Sequence, residues 1–350
     1  MKRRSFARWL PPKYLGKMKF LKIFATVLLI LALFITVINV IPPKKVTESN
    51  PFMVGEGELP MIAAHRGGGD NNPENTMLAF RRAVSDYRVD IIESDLWLTK
   101  DGYLVYNHDG YIDRTCNVNG DISKDEAKSL SKSERHYIKD MTLDELKQYN
   151  FGYYFENEKG ERIYKNAENI EELGLQIATV EQLFEEFYES HPDLLFIVEI
   201  KNEGEAGYEA TRKLAEVLDK YPEYKDNIVI GTFHPEIEEE LEKNYPHLMR
   251  GASTAGAAQF VITHFAGVNL FDSSSFACLQ VPMEYDLGIT VKLDLASIIN
   301  RAHRRNIAVQ YWTINDEWEM RHLIDLGCDC IMTDDPALMR RVIDEYEAEK

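Results

Sequence analysis

Apolar positions along this chain follow three patterns, and each predicts a different element. The first is one unbroken run, IFATVLLILALFITVINVI at 23–41, with no charged residue. The second is a set of short runs of strand length: MIAA (61–64), DIIESDLWL (90–98), LLFIVEI (194–200), NIVIGTF (227–233), LMRGAS (248–253), ACLQVP (277–282), IAVQYWTI (307–314) and CIMT (330–333). Near-continuous apolar runs of this length read as strands buried on both faces. The third pattern is apolar residues at helical spacing between those runs, in TMLAFRRAVSD, TVEQLFEEFYESH, GEAGYEATRKLAEVLDKY, PEIEEELEKNY, DLASIINRAHRRN and DEWEMRHLIDLG. Thr179 and Gln182 make a capping-box start for the second of these helices, and Gly327 stops the last.

Eight strands alternating with helices predict an α/β fold, a (β/α)8 TIM barrel over residues 60–345. An open doubly wound sheet has the same periodicity and is the alternative. A linker with prolines and glycines precedes the barrel at 42–59. A polar, aromatic stretch at about 110–175, with a further capping box at Thr142 and Glu145, breaks the alternation. It predicts a small insertion after the second strand.

The run 23–41 has membrane-spanning length, since at about 1.5 Å per residue it covers roughly 28 Å. Residues 1–22 before it carry eight Lys and Arg and no acid. With the whole chain at −18, the remainder after those eight cations carries about −26. A body that acidic repels phosphate backbones, which excludes general nucleic-acid binding. A cleaved signal peptide has a shorter apolar core and small residues at its cleavage site. This run exits instead through Asn39-Val40-Ile41-Pro42-Pro43. The expectation is an uncleaved single-pass signal-anchor in the cell membrane. The N-terminus then lies in the cytoplasm and the large domain is extracytoplasmic, by the positive-inside rule, although Lys44 and Lys45 on the far side weigh against it. Four cysteines, Cys116, Cys278, Cys328 and Cys330, show no metal-ligand spacing and are expected in the core.

The candidate chemistry collects at the C-terminal ends of the expected strands, the face where barrel active sites are built. The first strand ends in His65-Arg66, the second carries Glu93 and Asp95, and the third carries Glu199 and Lys201. In DIIESDLWLT, Ile91, Glu93, Asp95 and Trp97 share one face because strand side chains alternate. Two carboxylates pointing inward two residues apart repel each other, and burial makes that worse, so a shared proton or a cation must relieve them. With Glu199 from the next strand they form a hard-oxygen donor set suited to one divalent cation, Mg2+ or Ca2+. A buried ion network with Arg66 and Lys201 is the competing reading.

Lys100-Asp101-Gly102 is a tight hairpin signal that folds His108 back beside those acids. A two-residue turn pairs position 95 with 108, and a glycine bulge slips this by one. His65 arrives from the neighbouring strand. Two imidazoles flanking a cation, with two basic side chains, describe a phosphodiester site. One ring takes a proton from the nucleophile while the other gives one to the leaving oxygen. The cation, Arg66 and Lys201 offset the developing charge on phosphate. Gly67 and Gly68 let backbone N–H groups approach an anion, Gly69 reads as a flexible turn, and Asn75 or Thr76 caps the next helix. The other seven histidines read as ordinary core or surface residues.

Taken in order, HRGG (65–68), PENT (73–76), ESD (93–95), NHD (107–109), Arg114-Thr115, VEIK (198–201), WTIN (312–315) and TDDP (333–336) resemble the glycerophosphodiester phosphodiesterase family, in its membrane-anchored bacterial form. The resemblance implies a (β/α)8 barrel and hydrolysis of glycerophosphodiesters to glycerol 3-phosphate and an alcohol. It implies Glu93, Asp95 and Glu199 as metal ligands, His65 and His108 as the acid/base pair, and Arg66 and Lys201 as phosphate contacts. It also implies Trp312 as a wall of the substrate pocket. Two departures stand out: Ile177-Ala178-Thr179-Val180-Glu181-Gln182 lacks the family's proline, and Cys116 follows Arg114-Thr115 where a second threonine is commoner. Two alternatives share the site. One is a phospholipase D-like hydrolase of lysophospholipids or of a polyglycerolphosphate polymer. The other is a non-catalytic phosphodiester-binding barrel, which would be expected to lack one of the histidines or carboxylates.

Overall fold

The computed structural model describes residues 12–349 apart from 269, 271 and 287. The first part of the expected basic segment, residues 1–11, lies outside the described residues. The strands in chain order are β1 (Met61–Ala64), β2 (Ile91–Leu98), β3 (Leu104–Tyr106), β4 (Leu195–Ile200), β5 (Ile228–Gly231), β6 (Met249–Arg250), β7 (Cys278–Val281), β8 (Glu284–Asp286), β9 (Thr290–Lys292), β10 (Ala308–Tyr311) and β11 (Cys330–Thr333). Eight of them run parallel in the order β6-β5-β4-β2-β1-β11-β10-β7. The two ends of that sheet meet: Gly251 and Cys278 form a parallel bridge. Ala277 N–H donates to Arg250 O and Ala252 N–H to Cys278 O, each at 2.8 Å. The sheet is therefore a nearly closed barrel rather than the open alternative, and β3 hangs off it as an antiparallel partner of β2.

Alternation along the strands sorts the core into two layers. Ala63, Ile91, Ile197, Val229, Ala308, Cys330 and Met332 fill the barrel interior. Ile62, Ile92, Phe196, Val198 and Ile331 face outward against the helices. The strands fill the interior mostly with small and β-branched residues, as eight tilted strands leave little room. All four cysteines are buried free thiols, as core residues should be. The expected linker is tied to the barrel: Val46 N–H donates to Arg305 O at 2.8 Å. Asn50 Nδ2 donates to Ala277 O at 2.9 Å, and Phe52, fully buried, packs among the interior residues. An apolar ring on this segment closes the barrel floor that the strands leave open.

The expected helices form at 77–85, 180–187, 204–218, 235–244, 296–303 and 317–326. The capping boxes at Thr179/Gln182 and Thr142/Glu145 both form. Gly327 adopts φ 76°, the left-handed geometry that ends the helix before it. Two further outer helices, 254–265 and 336–348, complete the ring. The helix at 336–348 starts on Pro336, with the Asp335 side chain accepting Leu338 N–H. The apolar run near the N-terminus is part of a longer helix, Pro12–Val40. Within it, Lys17–Val40 is long and apolar enough to cross a membrane by length and composition, and only 6% of its most apolar window is buried. The stretch after β3 builds its own small core from Ile112, Cys116, Ile138, Leu146 and Phe151, separate from the barrel's.

Candidate active site

The site residues expected from the sequence face one cavity of about 440 Å³ at the C-terminal mouth of the barrel, and Thr333, Asp334 and Asp335 at the end of β11 lie outside its lining. His65, Arg66, Glu93, Asp95, His108, Glu199, Lys201 and Trp312 all line it. β1 delivers the first two. After Ala64 the chain turns at once, with Arg66 itself at φ 54°. Gly67 and Gly68 follow at φ 80° and 89°. A Cβ on Gly67 would sit 2.8 Å from the Ala79 side chain, and one on Gly68 only 2.6 Å from Pro336. The glycines thus let the loop pack against the helix 77–85 and Pro336. Their expected role in presenting amides to an anion is not what Gly68 does, since its N–H donates to His65 O at 2.9 Å. Thr76 caps the following helix by accepting Ala79 N–H. Asn75, at φ 56°, reaches back so that its Nδ2 donates to Asp95 Oδ2 at 3.3 Å.

The imidazole of His65 is held on one side. Its Nδ1 lies 2.6 Å from Asp334 Oδ1, and its Nε2 lies 3.9 Å from Glu93 Oε2. Burial disfavours the charged ring, but the carboxylates of Glu93 and Asp334 outweigh it, and the pKa of His65 is raised. Asp334 is in turn fixed by Asn315 Nδ2 at 2.9 Å. Its pKa is lowered: burial pushes up, but the hydrogen bond and charge of His65 and the bond from Asn315 prevail. Asp334 was visible in the sequence as part of TDDP, without a role.

The three carboxylates sit on adjacent strands, with Asp95 directly opposite Glu199 in the β2–β4 register. Glu93 is pushed up to about 7 by burial and by the negative charge of Asp95, despite the neighbouring His65 and the hydrogen bond that the Arg66 backbone N–H donates to it at 2.8 Å. Burial also raises Glu199, partly offset by the Lys201 ammonium. Asp95 goes the other way. Its burial is outweighed by Lys201 and Arg66, and its pKa is lowered. Lys201 Nζ lies 3.0 Å from Asp95 Oδ1 and 2.9 Å from Glu199 Oε1, and Arg66 Nε lies 3.4 Å from Asp95 Oδ2. Lys201 therefore spans two of the acids it was expected to stand beside.

The donor set fits a hard divalent cation in chemistry: three acidic side chains on one wall, two of them with raised proton affinity that a cation would relieve. Among the described residues they are not drawn into a finished ligand cluster. The Lys201 ammonium stands between two of them, as the competing ion-network reading has it. The residues fit the ion on the condition that Lys201 yields a contact.

His108 reaches the cavity through the hairpin. Leu98 pairs with Leu104, Gly102 takes φ 83°, and Asn107 N–H donates to Asp95 O at 2.9 Å. Residue 107, not 108, thus stands opposite 95: the bulged turn forms, and the slip by one carries His108 past the end of the ladder. Its Nδ1 lies 3.0 Å from Asp109 Oδ1. Arg114 then locks this arrangement. Its Nε donates to Asp109 Oδ2 at 2.5 Å, while Nη1 and Nη2 reach Glu74 Oε2 and Oε1 at 2.7 and 2.5 Å. Burial is outweighed by those charge-assisted bonds, so Asp109 and Glu74 are lowered and Arg114 is raised. The motifs PENT (73–76) and Arg114-Thr115, on either side of His108 in sequence, are here one clamp that holds the acid behind His108.

The opposite wall of the cavity is apolar. Phe233, Ala257, Ala258, Val261, Ile262, Tyr285 and Val291 line it. Apart from Phe233, in the loop after β5, it is built by the helix 254–265 and the β8–β9 hairpin, neither of which was expected from the sequence.

The comparisons with known proteins bear on both the fold and the site. The family model described as the glycerophosphoryl diester phosphodiesterase family matches residues 65–338. A glycerophosphodiester phosphodiesterase of Caldanaerobacter subterraneus subsp. tengcongensis is 28% identical over 285 residues, 81% of this chain and 97% of the relative. A lysophospholipase D of Mus musculus is 24% identical over 307 residues, 81% of this chain and 86% of the relative. Among solved structures, the glycerophosphoryl diester phosphodiesterase domain of a Mycobacterium tuberculosis protein superposes with a TM-score of 0.64 at 17% identity, covering 81% of this chain and 99% of that one. An Oleispira antarctica phosphodiesterase in complex with its product sn-glycerol-3-phosphate superposes with a TM-score of 0.57 at 21% identity, covering 82% and 97%. At those identities the structures speak for the barrel fold. The family model spans both histidines, all three carboxylates and the clamp around Arg114, and on that match the chain belongs to the glycerophosphoryl diester phosphodiesterase family.

Proposed function

We propose that this protein hydrolyses glycerophosphodiesters to a glycerol 3-phosphate and an alcohol, with His65 and His108 as the proton-transfer pair. The observation that carries the reading is that two imidazoles on one cavity are each backed by a carboxylate at Nδ1, Asp334 at 2.6 Å and Asp109 at 3.0 Å. That arrangement orients each ring and leaves its Nε2 for chemistry. His65, whose pKa is raised by its two carboxylate neighbours, is the candidate donor to the leaving oxygen. His108 is the candidate acceptor from the attacking hydroxyl, either water or the substrate's own free hydroxyl. Arg66 contacts the phosphate, as does Lys201 once released from one of its carboxylates, and Trp312 forms a wall.

Glu93, Asp95 and Glu199 are the proposed ligands of one Mg2+ or Ca2+. When bound, such an ion neutralises charge that develops on the phosphate oxygens. The apolar helix near the N-terminus is the proposed anchor at 23–41, with residues 1–22 cytoplasmic and the barrel at 60–345, carrying its insertion at about 110–175, outside. The test of the chemistry is release of glycerol 3-phosphate from glycerophosphocholine by the full chain. Turnover that falls at least about a hundredfold in EDTA and returns with Mg2+ or Ca2+ supports the reading. Full turnover in EDTA removes the cation from it. The anchor is tested by protease treatment of intact cells, in which a protected barrel contradicts the orientation.

A further inference from the structure

A second cleft lies where the long apolar helix meets the barrel. It is lined by Ile38, Asn39 and Ile41 at the end of that helix and by Arg301, Arg304 and Arg305 at the end of the helix 296–303. It shares no lining residue with the catalytic cavity. Arg304 and Arg305 immediately precede β10, so the cleft belongs to the floor side of the barrel, opposite the mouth.

Three guanidinium groups meet there in a strongly acidic body. Among the described residues the sole carboxylate paired with any of them is Asp272. It lies 2.8 Å from Arg301 Nη2 and 3.3 Å from Arg305 Nη1. Three cations against one carboxylate leave an excess of positive charge. The two inner arginines are held from behind. Arg301 Nη1 donates to Phe260 O at 2.6 Å, with its guanidinium 4.1 Å from the centre of the Phe260 ring. Arg305 Nη1 and Nη2 donate to Asp272 O and Ser274 O at 2.5 and 2.9 Å. Arg301 is 5% exposed and Arg305 6%, yet among the described residues the Nε of each has no hydrogen-bond partner. A buried N–H of a cation without an acceptor is costly, so a purely structural role leaves these two donors without a reason. Arg304 is exposed, and its Nη2 donates to Ile41 O at 3.3 Å, which ties it to the helix end.

The position of the cleft along the apolar helix points to what supplies the acceptor. Lys17–Val40 is the stretch long and apolar enough to cross a membrane, and Ile38 and Asn39 are in its last turn. Arginines packed beside that turn stand at the level where hydrocarbon gives way to lipid head groups. The cleft encloses only about 10 Å³, room for one oxygen atom rather than for a whole small molecule. An oxyanion held outside the cleft that inserts a single oxygen fits both the size and the level. Guanidinium groups match phosphate oxygens in charge and in donor geometry.

Resting on the membrane-anchor reading above, we infer that this cleft binds a phosphate oxygen of an anionic membrane lipid, using Arg304 and the Nε donors of Arg301 and Arg305. The bound head group ties the barrel floor to the bilayer surface at the point where the anchor leaves it.

The test uses the full chain in detergent micelles with equal amounts of phosphatidylcholine and phosphatidic acid, the latter chosen because it has no diester bond to cleave. Lipid retained on the protein is counted by native mass spectrometry. Two charge-assisted contacts make wild type retain phosphatidic acid over phosphatidylcholine by at least about tenfold. Arg304→Gln, at an exposed position, brings that ratio to within about twofold of parity by removing the cation that completes the site. Lys44→Gln removes an exposed cation just beyond the helix that does not line the cleft, and it leaves the ratio unchanged. That control separates the cleft from the general attraction of basic residues to acidic lipid. Millimolar inorganic phosphate, set against chloride of equal ionic strength, leaves the lipid bound. A ratio abolished by phosphate but not by chloride makes the cleft a site for soluble phosphate and overturns the lipid assignment. Equal retention of the two lipids by wild type, a ratio unmoved in Arg304→Gln, one that falls as far in Lys44→Gln, or one abolished by both salts overturns it as well. A full chain that alkaline carbonate washes from liposomes overturns the anchor reading, and this inference with it.

Discussion

The two walls of one cavity were made by opposite means. The wall from β1, β2 and β4 holds His65, Arg66, Glu93, Asp95, Glu199 and Lys201, nearly every charge tied to another. The wall from the helix 254–265 and the β8–β9 hairpin holds Ala258, Val261, Ile262, Tyr285 and Val291, and among the described residues contributes no charged side chain to the space. The groups of the charged wall hold one another through ion pairs and hydrogen bonds, Lys201 bridging Asp95 and Glu199. The apolar wall has shape alone. In the proposed reading the charged side carries proton transfer and charge stabilisation, and the apolar side offers shape without charge.

The comparison predicts that changes to the two imidazoles and to the charged groups that hold them act on turnover, whereas changes remote from both act little. The largest effect is expected from the imidazoles. His65→Ala and His108→Ala should each lower kcat for glycerophosphocholine by about 10²- to 10⁴-fold with folding unchanged by circular dichroism. Unchanged turnover in both variants would remove the acid/base assignment. Next is the clamp. Arg114→Leu leaves Glu74 and Asp109 facing each other without their cation, and should cost about 2–3 kcal/mol in urea unfolding, less than a fully buried pair because the site is partly solvated. It should also lower kcat about tenfold through loss of the acid behind His108, and an unaltered urea midpoint would show that Arg114 is not the lock described here.

A smaller and more specific effect is expected from Asp334→Asn. The Asp334 carboxylate helps raise the pKa of His65. A proton donor is active below its pKa and fails as pH rises through it. Removing that carboxylate lowers the His65 pKa, so the alkaline limb of the kcat/KM profile should move to lower pH. A limb that stays in place, or moves up, argues against His65 as the donor. The smallest effect belongs to Ile289→Ser, at the exposed tip of the β8–β9 hairpin and outside the cavity lining. It should leave stability within about 0.5 kcal/mol and glycerophosphocholine turnover within about twofold. A large loss in either would mean that the hairpin tip closes over the reacting groups.

The same contrast explains what could be read from the chain beforehand. Charges at the ends of buried strands are anomalous, so HRGG, ESD and VEIK stood out, and the alternation of strand-length runs with amphipathic helices pointed to an α/β fold that the pairing of the strands then closed into a barrel. The helix 254–265 did not stand out because it is apolar on both faces and lacks the two-sided pattern by which an outer helix is recognised. The clamp of Glu74, Arg114 and Asp109 was present only as separate motifs, since nothing in a one-dimensional pattern joins positions 74 and 114. The role of Asp334 needed β1 and β11 to be neighbours, which their parallel pairing supplies. The closing of the barrel floor by Phe52 needed the same knowledge of where the strands begin.

The most direct test is a crystal structure of the full chain with glycerol 3-phosphate and saturating Mg2+ or Ca2+. The account predicts one ion held by Glu93, Asp95 and Glu199, and a phosphate within hydrogen-bonding reach of both His65 and His108. An ion bound elsewhere, or a phosphate that only one of the two imidazoles can reach, would contradict it.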